Sequence, residues 1–90
     1  MLLIEVSDSS LNYDRNTKLP RYAEARIPEA WIVNLVEDRI ERHTEPRVGR
    51  YEQVAIAERG EQIASMVLPN FAFDVDAILG PPETAATVKG

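Results

Sequence analysis

Glu5 is the only charged side chain in the apolar run Leu2-Leu3-Ile4-Glu5-Val6. A carboxylate in such company needs a cation, hydrogen-bond donors, a metal ion or exposure at the end of its strand. Lys18 follows at the start of a predicted helix. When a strand feeds a crossover helix, the helix begins near the C-terminal end of the strand, where ligand sites of open α/β sheets collect. Glu5 and Lys18 can therefore approach each other. Each also has a plainer reading, Glu5 as a solvated strand tip and Lys18 as a solvated charge in a first helical turn.

The composition removes other chemistries. The absence of cysteine excludes disulfides, thiolate metal sites and cysteine nucleophiles together. One histidine, His43, does not make a multi-histidine metal site, and on a predicted edge strand it reads as solvated. Trp31 and Tyr22 have the ring chemistry to stack on bases, but a buried strand and an apolar helix face assign them to the core. Glu37-Asp38 reads as a turn. Arg42, Arg47 and Arg50 can touch phosphate or simply solvate a hairpin. The net charge of −5 argues against a dedicated non-specific DNA binder, whose affinity comes from neutralising phosphates, and leaves room for a local site.

Ninety residues, 44% hydrophobic and 28% charged, make one globular domain. The start has no basic leader, and no stretch approaches the roughly 20 apolar residues of a membrane helix. The cytoplasm is the expected location. The run 2–6 suits a strand covered on both faces. Residues 7–17 are rich in turn formers and predict a loop. A helix over about 18–26 follows, with Thr17 as N-cap, Pro20 in the first turn, and Leu19, Tyr22 and Ala23 as its apolar face. The second buried run, 30–35, completes a right-handed βαβ unit with parallel strands. Ile4, Leu19, Trp31, Ile32 and Val33 are the expected core. An antiparallel meander comes next: 39–44 near an edge, then 51–57 after Gly49, then 62–68 after Arg59-Gly60. Asp74 caps a short helix over 75–79, Gly80 stops it, and 81–90 is expected to be a disordered tail. The first strand lacks cover, so a second chain or an absent N-terminal half is expected beside it.

Several segments taken together resemble a known family. Ile4-Glu5-Val6-Ser7-Asp8-Ser9-Ser10, Tyr13-Asp14-Arg15, Lys18-Leu19-Pro20-Arg21-Tyr22-Ala23 and Ile27-Pro28-Glu29-Ala30-Trp31-Ile32-Val33 stand in the order and spacing of the bacterial putative restriction endonucleases of the PD-(D/E)XK superfamily. The resemblance runs from Leu2 to about Gly80 and includes Leu68-Pro69. It implies residues 1–80 as the C-terminal half of an α/β restriction-endonuclease-like domain. The implied activity is Mg²⁺-dependent hydrolysis of DNA, with Glu5 as metal ligand and Lys18 as the catalytic lysine. The superfamily's usual lysine position holds Ser7; the family carries its lysine on the next helix, and Lys18 matches that placement.

Three positions depart from the family pattern. Only Met1 stands where a Pro-Asp pair supplies the first carboxylate, Arg26 replaces a helix-ending glycine, and Ala30 replaces a tyrosine. Two functions follow as expectations. One is a truncated endonuclease, inactive alone; an in-frame Pro-Asp pair upstream of Leu2 in the gene would favour a complete enzyme. The other is a non-enzymatic binding or assembly module, pairing through its first strand, as in a homodimer. If Glu5 and Lys18 share one site, their charged groups should lie within roughly 8 Å, facing one concavity.

Overall fold

The computed structural model describes residues 1–8 and 11–81, except for the side chain of Leu11. Strand β1 (Leu2–Ser7) pairs in parallel with β2 (Glu29–Asn34). β2 runs antiparallel to β3 (Arg39–Arg47), which runs antiparallel to β4 (Arg50–Glu58), so the sheet order is β1-β2-β3-β4. A small antiparallel pair, β5 (Gln62–Ala64) and β6 (Ala72–Asp74), leads into helix α2 (Val75–Leu79). The expected α/β architecture, with a parallel βαβ unit, a following antiparallel hairpin and a short terminal helix, is the observed one.

Alternation along the strands sorts the residues onto two faces. Glu5 lies beside Ile32, Ile32 beside Glu41, and Ala30 beside His43. This face carries the long helix. Ile4 lies beside Trp31 and Val33 beside Ile40 on the other face, which meets the small sheet and α2. β2 is central and covered on both sides, and all six of its residues are buried. Trp31 heads a cluster with Ile40, Ala57, Ile63 and Val75, and its ring lies 5.8 Å from that of Phe71. Leu19, Ala30 and Ile32 form the second cluster under the helix.

That helix, α1, departs from expectation. It is a continuous helical run of three stretches: Leu11–Tyr13, a π-helical turn Asp14–Lys18, and Leu19–Glu24. It therefore starts inside the segment expected to be a loop, and Thr17 is not its N-cap. The reason is tertiary. Asp14 and Arg15 point at the sheet and find partners there, which outweighs the turn preference of their neighbours. Pro20 lies inside this run rather than in a first turn. The widened turn immediately before it, with Leu19 N–H bonded to Asp14 C=O, accommodates a proline that lacks its own N–H.

Other expectations need correction. Ile4 is 45% exposed instead of buried, because β1 is the outer strand and the small sheet stops short of it. β3 is an inner strand, and β4 takes the edge. His43 is consequently buried and not solvated. The last expected strand, 62–68, ends at Ala64, and Ser65 turns the chain by accepting from the Val67 and Leu68 N–H groups. Asp74 holds the N-cap position of α2 but makes no capping bond; its carboxylate accepts from Gln62. Gly80 ends α2 as expected, and the expected tail lies outside the described residues from 82 onward.

Arg26 ends α1 with φ of 60°. Its N–H bonds to Ala23 C=O, and Ile27 N–H bonds to Tyr22 C=O, both at 3.0 Å. This is a Schellman closure, which glycine adopts without steric penalty. Arg26→Gly should raise unfolding stability by about 1 kcal/mol with no change of fold. Urea denaturation measures this; a loss of stability would contradict the strain argument.

Candidate active site

Glu5 sits near the C-terminal end of β1 on the face under helix α1. Lys18, on the π turn, brings its ammonium to 3.4 Å from Glu5 Oε1. The two groups that the sequence paired are thus in contact. Tyr22, one turn further on, donates its hydroxyl to Glu5 Oε2. Its ring is half-buried against the Leu19–Ala30–Ile32 cluster, on the core side the sequence predicts, whereas the hydroxyl partner was not foreseen.

Asp14 completes the cluster. Its carboxyl is nearly fully buried, accepts from the Ser7 hydroxyl, and lies 3.5 Å from Lys18 Nζ. Lys18 therefore bridges two carboxylates, one from the strand and one from its own helix. The sequence contained a signal for this. Asp14, Lys18 and Tyr22 repeat at a spacing of four, the spacing that aligns residues on one helical face.

A second charged group adjoins the first. Glu41 is 2% exposed and faces Arg15, which donates to both its oxygens, Nε at 3.3 Å and Nη2 closer still. Asn34 donates to Glu41 at 3.2 Å, and His43 Nε2 lies 2.9 Å away. Arg15 and Asn34 also reach Glu37, at 3.2 and 2.9 Å, so the predicted turn residue anchors the network from outside.

These contacts set the charges. The hydrogen bond and attraction from Glu5 raise the Lys18 pKa, so the ammonium remains a cation and is no general base at neutral pH. Burial and the Glu5 bond push the Tyr22 hydroxyl up to about 12, keeping it a neutral donor. Burial alone would raise Glu41, yet the bonds from His43 and Arg15 prevail and hold it down to about 2. Lys18, with three N–H donors, keeps one to direct at an anionic oxygen, whereas the single Tyr22 proton is committed to Glu5.

Its fit to a divalent cation is poorer. Both oxygens of Glu5 accept hydrogen bonds from side chains. Among the described residues there is no group of three or more His, Asp or Glu side chains able to hold a metal ion. A hard octahedral ion that keeps most of its waters is weakly held by a carboxylate whose two oxygens already accept from Lys18 and Tyr22.

The profile of the Uma2 family, described as putative restriction endonuclease, matches residues 1–76. The chain belongs to this family. No curated protein and no solved structure gives a significant match. The match covers the whole Glu5–Asp14–Lys18–Tyr22 cluster and agrees with the nuclease resemblance of the sequence. No helix among the described residues is long and apolar enough to cross a membrane.

The depressed Glu41 pKa links stability to pH. The folded value lies below the ordinary 4.5, so the contribution is present above that pH and is lost as pH falls toward about 2. Its size is on the order of 3 kcal/mol. Denaturation midpoints between neutral and acidic pH should fall steeply for the native chain. Glu41→Gln should be less stable at neutral pH and show a flatter acid profile; parallel profiles would contradict the assignment.

Proposed function

We propose that the chain is a DNA-directed member of its family whose Glu5–Lys18 cluster is one side of a metal-dependent phosphodiesterase site. The observation that carries this is the ammonium of Lys18 held 3.4 Å from Glu5 at the end of the first strand, within the family match. In hydrolysis of a phosphodiester, water adds to phosphorus and the bond to a sugar oxygen breaks. Negative charge gathers on the phosphoryl oxygens, and Lys18 is placed to offset it, with Asp14 and Ser7 fixing where the ammonium sits. Glu5 would be the family's Mg²⁺ ligand. The residues described here do not complete a magnesium site, so the 90-residue chain by itself should turn over little or no DNA. A cytoplasmic setting accords with a DNA substrate.

One observation favours a second chain as partner. Among the described residues β1 pairs on one side only, and Ile4 and Val6 on it are 45% and 61% exposed. An open edge with apolar side chains invites strand addition, for which a homodimer is the simplest case. Val6→Lys should then shift light scattering toward the monomer mass.

The purified chain, assayed on supercoiled plasmid with Mg²⁺ or Mn²⁺, should give cleavage close to background. Mn²⁺ should broaden amide signals around Glu5 only at high concentration, and Glu5→Gln should abolish that broadening. Turnover that disappears in Glu5→Ala would refute the inactivity of the isolated chain while supporting the site. Broadening centred elsewhere and unaffected by Glu5→Gln would refute the site.

A further inference from the structure

Between helix α1 and the β3–β4 hairpin lies a pocket of about 230 Å³, lined by Arg15, Leu19, Pro20, His43, Gly49, Arg50, Tyr51 and Val54. Among the described residues no carboxylate lines it; of its two guanidiniums, Arg15 is paired behind the lining with Glu41 and Glu37, while Arg50 stands at the exposed rim. We propose that this pocket takes one nucleotide unit of a DNA strand, its phosphate against Arg50 and its base against the Leu19, Pro20, Tyr51 and Val54 surface.

Three features favour that occupant. Arg50 is 73% exposed and, among the described residues, paired with the surface residue Glu52, at 2.8 Å. An exposed pair of this kind contributes little, so a phosphate can replace the carboxylate. Tyr51 is preorganised, because its hydroxyl donates to Ile27 C=O at 2.7 Å and its ring lies 6.1 Å from that of His43. A fixed aromatic ring beside aliphatic side chains suits a flat base better than an extended acidic peptide. Finally, Arg15 and Lys18 lie on the same π turn of α1 and both reach the sheet, so the Lys18 cluster adjoins the pocket that Arg15 helps to line. A strand whose phosphate reaches Lys18 therefore offers an adjacent nucleotide to the pocket. This rests on the nuclease reading and adds a subsite to it.

The test needs no metal and no turnover. An oligodeoxythymidylate of about eight nucleotides is titrated into the full chain in chelator, and amide shifts are followed by NMR. Shifts are expected at Arg50, Tyr51 and Val54 as well as around Lys18. Arg50→Glu and Val54→Asp, both at exposed positions, should each weaken binding by about five- to tenfold with the spectrum otherwise intact. Arg50→Glu should also lower the slope of log affinity against log salt by about 1. Unchanged affinity in both variants, or shifts confined to Glu5 and Lys18, would overturn the subsite and leave the nuclease reading standing. Equal affinity for inorganic phosphate or for an acidic peptide would overturn the nucleotide assignment. Absence of any oligonucleotide binding would remove the subsite, and the DNA reading with it.

Discussion

Three carboxylates, Glu5, Asp14 and Glu41, lie between helix α1 and the sheet, and each must be matched by donors before the two layers can close. Burying an unpaired carboxylate costs several kcal/mol, more than any single side chain here returns by apolar burial. The matching groups come from the opposite layer or from the acid's own element: Tyr22 and Lys18 for Glu5, Ser7 and Lys18 for Asp14, Arg15 and His43 for Glu41. This requirement fixes how far upstream the helix begins, since Asp14 and Arg15 must both be helical to reach their partners. It also accounts for the concentration of polar groups on one face, where a chain of this size would otherwise place its core.

The opposite face solves a related problem with another acid. Glu29 is fully buried and accepts from Trp31 Nε1 at 2.8 Å, the Ser65 hydroxyl at 2.7 Å and the Met66 and Val67 amides at 3.0 and 3.1 Å. Burial opposes ionisation of Glu29, but these donors prevail and lower its pKa. The carboxylate thereby ties the central strand to the turn after β5, and that turn delivers Phe71 onto Trp31. Arg42 adds a second tie by donating to Ala64 C=O at 2.7 Å. The larger apolar cluster is consequently assembled on this face, while the face under α1 carries the smaller one together with the candidate site.

An acidic chain in a nuclease family is less paradoxical once charge is followed locally. Several acids are spent in buried or surface pairs, as with Asp38 and Asp76 on Arg59. Among the described residues the concavity beside α1 has no carboxylate in its lining, although Glu41 and Glu37 hold Arg15 behind it. Net charge governs long-range attraction to DNA, whereas the groups facing a pocket govern what it holds. The family match spans both residues of the Lys18–Glu5 contact.

Much of this was legible in the residues themselves. The apolar runs marked β1 and β2, the crossover rule made them parallel, and the ordered segments around Glu5 and Lys18 named both the family and the pair that meets. Glycine and proline marked the ends of α2 and of the hairpin, because their backbone limits act locally. What the residues could not decide were matters of partnership. Asp14 and Arg15 look like loop residues until a sheet supplies Ser7 and Glu41. His43 looks solvated until β4 pairs outside it, and Ile4 looks buried until its strand proves to be the outermost. Local preferences are worth tenths of a kcal/mol per residue, while a buried charge paired or unpaired is worth several. The tertiary structure therefore prevailed wherever charged side chains turned inward.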